Sequence, residues 1–296
     1  MSWRIKVPAT TANLGAGFDS IGIALDMYLF IKVSSSDKWS FVSHSAHLKD
    51  VPKGKDNYIY QIALKIAKQY GYEELPACHV ELFSDIPLAR GLGSSATAIA
   101  CGIELANLLL DLHLSNHTKV TLATEIEGHP DNVAPAILGG CVIGYYDGEV
   151  DYVKVPLNNL VFVTIVPDFE LKTKDARKVL PEQFSHRDAV QASSIANVTT
   201  AALFQGNWPL LGKMMEKEMF HQPFRKALIP HYDKVKEILK DDVYGVYLSG
   251  AGPTMIALAE EAVVTKNMQK WRNQLSECEW LTLHPTNQGL EVVDGY

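Results

Sequence analysis

The chain has 296 residues, 47% hydrophobic, 21% charged and 9% aromatic, a profile that excludes disorder, collagen and coiled coil. Its length predicts about two domains. With 27 Lys and Arg against 34 Asp and Glu, the formal net charge is −7, and no basic stripe stands out, so nucleic acid is not an expected partner.

Residues 1–8 alternate polar and apolar and lack the apolar core of a signal peptide. The most apolar run, Leu160 to Val166, is far shorter than the roughly eighteen residues that span a bilayer. No membrane partner is expected, and the location reads as cytoplasmic. Cys78, Cys101, Cys141 and Cys278 form no CxxC pair and read as small core residues in a reducing compartment.

Strands are expected at Arg4 to Val7 and Ile23 to Val33, joined by a Gly-containing loop. Ile59, Ile62, Ala63, Ile66, Ala67 and Tyr70 recur at the helical interval, and Gly71 stands where that helix would stop. His79 to Phe83 reads as a strand, followed by a loop and a helix from about Ser95 to Leu110. From Leu160 onward helices become longer and more frequent. One starts near Pro209, and another carries Val264, Met268, Trp271 and Leu275. Strands at about Gly245 to Ser249, Met255 to Ala259 and Trp280 to Leu283 alternate with them. The Gly/Asp-rich turn from Asp147 to Asp151 places a boundary near 155, dividing the chain into 1–155 and 156–296.

The run Pro87, Leu88, Ala89, Arg90, Gly91, Leu92, Gly93, Ser94, Ser95, Ala96 and Thr97 lies between a strand and a helix. A glycine-rich turn lets the backbone approach an anion, and the first free N–H groups of the following helix point at it. Ser94 and Ser95 add hydroxyls that can cap the helix, bond a phosphate oxygen or sit on a magnesium ion. Ser94, where Walker A needs Lys, excludes a P-loop NTPase. The dinucleotide fingerprint fits formally, with Asp111 about twenty residues on, but Ile86 to Arg90 intervene after the strand and Asp111 ends a Leu-rich helix.

This loop, with the segments Pro8 to Asp19, Glu127 to Pro135, Thr173 to Arg177 and Ser249 to Thr254, resembles the GHMP kinases, the family of galactokinase, homoserine kinase, mevalonate kinase and phosphomevalonate kinase. Within it, Thr10-Thr11-Ala12-Asn13-Leu14-Gly15 and Phe18-Asp19 resemble the homoserine kinase branch, with Ala16 where Pro is common. The resemblance implies an α+β GHMP kinase fold: an N-terminal ribosomal-protein-S5-domain-2-like, ATP-binding domain over 1–155 and a C-terminal ferredoxin-like α/β sandwich over 156–296. It implies ATP-dependent phosphorylation of the hydroxyl of L-homoserine, a step of threonine biosynthesis, with ATP and Mg2+; a homodimer is the family expectation. Another small alcohol as substrate, or a non-catalytic binding member, are the alternatives.

By the same resemblance, Arg177 and Arg225 bind the substrate carboxylate, and Asp19 and Asn13 face its ammonium and backbone. Asp131, Asn132 and Thr173 lie at the reacting hydroxyl, with Asp131 as base or with the proton passing directly to the γ-phosphate. His129 is expected as a structural hydrogen-bonding residue. Magnesium is assigned to Ser94 and Glu127, with Glu125 nearly equal, and Asn57 to the nucleoside. Gly250 to Pro253 is expected to turn against the phosphate loop, placing the site between the two halves.

Overall fold

A computed structural model describes residues 2–157 and 160–294. Its first half runs β1 (Ser2–Asn13), β2 (Gly17–Ser35), β3 (Ser40–Ser43), α1 (Tyr58–Gln69), β4 (Cys78–Ser84), α2 (Ser94–Leu110), α3 (Asn116–Glu127), α4 (Pro130–Leu138), β5 (Cys141–Tyr146) and β6 (Val150–Val155). The second half runs β7 (Val161–Val166), α5 (Thr173–Lys178), α6 (His186–Gln205), α7 (Trp208–Met215), α8 (Gln222–Arg225), α9 (Tyr232–Leu239), β8 (Gly245–Leu248), β9 (Met255–Ala259), α10 (Glu261–Gln274), β10 (Glu279–Leu283) and β11 (Glu291–Asp294).

The first two strands are far longer than their hydrophobic alternation suggests. β1 pairs antiparallel with β2 from Ser2 opposite Ser34 to Asn13 opposite Gly17, with irregularities after Pro8 and Ala12. The expected loop between Val7 and Ile23 is therefore mostly strand, closed by residues 14–16. Thr10, Thr11 and Asn13 are buried in it, and polar residues that face a site interrupt the apolar pattern by which a strand is recognised. β2 serves two neighbours: Leu29 to Ser35 pair with β4, while Ile21 to Ile23 pair with β5.

Helix α1 begins where Asn57 accepts from the Ile59 N–H, and it buries Ile59, Ile62, Ala63 and Ile66. It packs on α2, and both cover the first sheet. The second sheet is antiparallel in the order β10-β7-β9-β8. Its strands alternate between two cores: Val163, Val246, Leu248 and Ala257 meet α9 and α10, including Trp271, whereas Phe162, Tyr247, Ile256 and Leu258 join the core of the first half. β7 is buried on both faces, which explains an apolar run interrupted only by Thr164, whose hydroxyl donates to Phe162 O at 3.3 Å.

The second half is not closed on itself, because β11 returns to pair with β1. All four cysteines are buried and free. No helix of the described residues is long and apolar enough to cross a membrane.

Candidate active site

The hairpin end of β1 and β2 builds the first wall. Asn13, Leu14 and Asp19 all have positive φ, a region in which Asn and Asp are tolerated better than most residues. The Asn13 amide holds this turn from both ends: Oδ1 accepts from Asp19 N at 3.1 Å, and Nδ2 donates to the Gly250 carbonyl at 3.0 Å. Asp19 is thereby aimed at Arg177 of α5, which grips its two carboxylate oxygens at 3.1 and 2.7 Å. Burial disfavours the Arg177 charge, but the bond to Asp19 and its negative charge outweigh that and raise the pKa.

The second wall is the loop before α2. Gly93, the residue preceding this helix, is left-handed, and a Cβ there would lie 2.0 Å from Thr10 Oγ1, so no other residue fits. Ser249 Oγ donates to the Gly91 carbonyl at 2.5 Å, and Thr254 N donates to Arg90 O at 3.2 Å. The turn from Gly250 to Pro253 thus leans on this loop, as expected. Above it opens a cavity of about 460 Å³ whose walls include Leu48, Val51, Pro52, Tyr58, Leu82 and Ile86 at one end and Gly91, Gly93, Ser94 and Ser95 at the other. An apolar slot ending in a nest of free N–H groups suits a planar base joined to phosphates.

α4 carries the third wall. Pro130 starts the helix and Asp131 sits in its first turn, where the helix dipole favours a carboxylate. Asp131 is buried. Its Oδ1 meets His129 Nδ1 in a short contact and accepts from Asn132 Nδ2 at 3.2 Å, while Thr10 Oγ1 donates to Asn132 Oδ1 at 2.9 Å. Burial by itself would depress His129, but the Asp131 charge and hydrogen bond, with Asp19 and Glu127 beyond, raise it to about 9. Gly22 of β2 lets α4 approach: a Cβ there would fall 1.5 Å from the Asp131 carbonyl oxygen.

These walls enclose a second cavity of about 40 Å³, lined by Asn13, Asp19, Glu127, His129, Asp131, Asn132, Thr173, Arg177, Arg225, Gly250 and Ala251. It shares Glu127, Asn132, Thr173, Gly250 and Ala251 with the larger one, so the two meet at a common border. Arg225 of α8 is 2% exposed. Its Nε donates to Ala176 O at 3.2 Å and its Nη1 to Gly250 O at 3.0 Å. Burial and the neighbouring Arg177 lower it to about 10.

Residues 57–140 match the GHMP kinases N terminal domain, and residues 199–276 match the GHMP kinases C terminal domain. The chain belongs to the GHMP kinases. It is 48% identical to a homoserine kinase of Bacillus pumilus, over 88% of this chain and 84% of that protein. It is 43% identical to a homoserine kinase of Staphylococcus epidermidis, over 98% and 97%. The crystal structure of homoserine kinase from Cytophaga hutchinsonii superimposes with a TM-score of 0.85 at 30% identity, covering 99% of this chain and 97% of that one. Mevalonate kinase of Methanococcus jannaschii, 18% identical with a TM-score of 0.73 over 95% and 98%, shares the fold.

Within this GHMP kinase, the smaller cavity brings together every residue expected at the substrate and the reacting hydroxyl: Asn13, Asp19, Asp131, Asn132, Thr173, Arg177 and Arg225. His129 does hydrogen-bond, as expected, but it also lines that cavity. Of the expected nucleotide residues, Leu88, Ala89, Gly91, Gly93, Ser94, Ser95, Ala96, Thr97 and Asn57 line the larger cavity. Pro87, Arg90 and Leu92 are outside its lining. The Arg90 guanidinium points to Pro167 O and Asp168, and Leu92 is buried with its carbonyl accepting from Thr10 N. The Asn57 amide is spent on Ile59 N and Pro52 O.

The residues expected at magnesium stand in different surroundings. Ser95 Oγ, rather than Ser94 Oγ, reaches Glu127, donating to Oε2 at 3.3 Å, while Ser94 Oγ accepts from Ala89 N at 3.4 Å. Glu125 is exposed and lines neither cavity. Phe18 entered the sequence analysis only as part of a motif and without a role; its ring lies under both guanidinium groups, 5.7 Å from Arg177 and 5.1 Å from Arg225. Sequence reasoning overlooked His221 and Glu218, buried behind Arg225. His221 directly precedes the Gln222 to Arg225 segment, but nothing in that spacing marks it as a partner of Arg225.

Proposed function

We propose that this GHMP kinase transfers the γ-phosphoryl group of ATP to the hydroxyl of L-homoserine. One observation carries the reading: a cavity lined by the guanidinium groups of Arg177 and Arg225 and by the carboxylates of Asp19, Glu127 and Asp131 opens, across Asn132 and Thr173, onto a cavity floored by the phosphate loop. A small amino acid with a side-chain hydroxyl matches the first in charge and size, and a nucleoside triphosphate matches the second. The homoserine kinases to which the chain is similar support the same substrate.

The chain's residues divide the work. Arg225 and Arg177 bind the carboxylate, and Asp19, released in part from Arg177, accepts from the ammonium. Asp131 Oδ1 already receives His129 and Asn132, so Oδ2 is left to orient the hydroxyl, with Asn132 fixed by Thr10. A loose phosphoryl-transfer transition state asks for alignment and charge stabilisation more than for a strong base. Glu127 and Ser95 fit a magnesium ion: both offer hard oxygen donors, hydrogen-bonded to each other, with Glu127 at the border of the two cavities and Ser95 in the wall of the larger. When bound, the ion supplies charge neutralisation at the β- and γ-phosphates.

ADP release assayed across homoserine, mevalonate, shikimate and galactose tests the reading. Turnover is expected with homoserine and is expected to collapse in Arg177→Ala and Arg225→Ala. Turnover of mevalonate or galactose without homoserine overturns it.

A further inference from the structure

Arg225 has five N–H bonds, and the protein uses three. Nε is given to Ala176 O, and Nη1 is given to Gly250 O at 3.0 Å and to His221 Nδ1 at 3.4 Å. Nη2 has no protein partner among the described residues, and Arg225 lines the smaller cavity. The Nη2 edge is therefore the one left for a ligand carboxylate, and its direction depends on what holds Nη1.

His221 is fully buried. Its Nε2 lies 3.1 Å from the Gly15 carbonyl, which can only accept, so this nitrogen carries the hydrogen. In a neutral ring Nδ1 is then an acceptor, and the atom facing it is a donor of Arg225. Only the neutral Nε2–H tautomer satisfies both neighbours. The groups around the ring agree: burial, Arg225 and Arg177 together push it down to about 3, despite the Glu218 carboxylate 3.9 Å from Nε2. That carboxylate is occupied by the backbone N–H groups of Phe220, His221 and Gln222 at the start of α8. The imidazole also stacks on Phe18, with centroids 5.0 Å apart and planes 19° apart.

We propose that His221 is a positioning residue for substrate recognition: as a neutral Nε2–H imidazole it bridges Gly15 to Arg225 and turns the free Nη2 edge toward the substrate carboxylate. The inference rests on the reading of Arg225 as a carboxylate ligand. It ties the orientation of an arginine in the second half to the turn that aims Asp19 in the first, so ammonium and carboxylate recognition share one support. Phe18 is the third member, a face on which His221 and both guanidinium groups rest.

His221→Phe keeps a ring against Phe18 and removes both hydrogen bonds. The KM for homoserine is expected to rise about tenfold, the worth of one hydrogen bond to a charged group, with the KM for ATP unchanged. His221→Asn returns an acceptor near Nδ1 and is expected to recover most of the loss. Should His221→Phe fail to fold, His221→Gln reads the same quantity, since its amide keeps the donor to Gly15 and withdraws the acceptor from Arg225.

A second readout is turnover of homoserine amide, which lacks the carboxylate: the preference for homoserine over the amide is expected to fall about tenfold in His221→Phe or His221→Gln. An unchanged preference, or an equal rise in both KM values, overturns the proposal. Arg225→Ala separates the two levels of failure. If it leaves the KM for homoserine unaltered, the reading of Arg225 is wrong. If it raises KM while His221→Phe and His221→Gln do not, the inference about His221 alone is wrong.

Discussion

The two cavities solve recognition by opposite means. The larger is formed by backbone and apolar side chains: glycines, the N-terminus of α2, and a slot between Leu48, Tyr58 and Ile86. The smaller is formed almost wholly by charged and amide side chains brought from both halves, interlocked through Asn13, Asp19, Arg177 and Arg225. A backbone cradle depends on local conformation, so one loop suffices. An ionic cavity must hold opposite charges apart from one another and toward a ligand, and that takes supports distant in sequence.

The most severe way to break the contrast is to move the border between the cavities. Gly22→Ala places a methyl where the Asp131 carbonyl oxygen stands, and neither backbone can yield cheaply. About 3 kcal/mol of stability and about a hundredfold in kcat are expected to be lost, checked by thermal unfolding and ADP release. Normal kcat would show that α4 need not sit where it does. Next comes the carboxylate pair on α3. Glu127→Gln is expected to lower kcat about a hundredfold and shift the magnesium dependence, whereas Glu125→Gln stays within about twofold. A reversal of that order would overturn the proposed assignment of magnesium to Glu127.

How far the sequence could be read follows the same divide. The phosphate loop and helices α1 and α2 were legible because glycine spacing, caps and apolar stripes act over a few residues. Asp19 and Arg177 are 158 positions apart, and no local pattern announces their pairing; family resemblance alone brought them together. The extent of β1 was hidden because Thr10, Thr11 and Asn13 are polar yet buried. β11 was hidden because four residues that complete a sheet by pairing with β1 carry no periodicity of their own. His221 lacked any signal, since its role lies in what it faces.

A milder test addresses the ionic cavity itself. Asp19→Asn removes the charge that Arg177 grips, on a pair that is about one-third exposed and so partly screened. The KM for homoserine is expected to rise about tenfold with the KM for ATP unchanged. Equal effects on both would mean that the cavities do not recognise separate ligands.

The buried imidazole behind the arginines predicts a pH dependence. His221 titrates near 3 in the folded chain against 6.5 ordinarily, so between those values the unfolded chain binds a proton that the folded one refuses. Stability is therefore lost as pH falls through this window. From pH 7 to 5 this amounts to on the order of 2 kcal/mol, or about 3 °C in Tm. His221→Asn is expected to flatten that part of the Tm profile; an identical slope would show that other groups cause it.

A small expected effect sharpens the comparison most. Arg90 is the only cationic side chain in the phosphate loop, and charge alone would assign it to the phosphates. Its guanidinium instead turns to Pro167 O and to Asp168, whose side chain is 95% exposed. Arg90→Gln should therefore cost about 1 kcal/mol of stability, since the bond to an exposed carboxylate is worth little, and change the KM for ATP by less than about threefold. A tenfold rise would mean that the side chain swings inward and that the cradle needs a cation. A small one would mean that the N–H groups of the phosphate loop, with the magnesium ion proposed at Glu127 and Ser95, suffice to hold a polyanion in a protein of net charge −7.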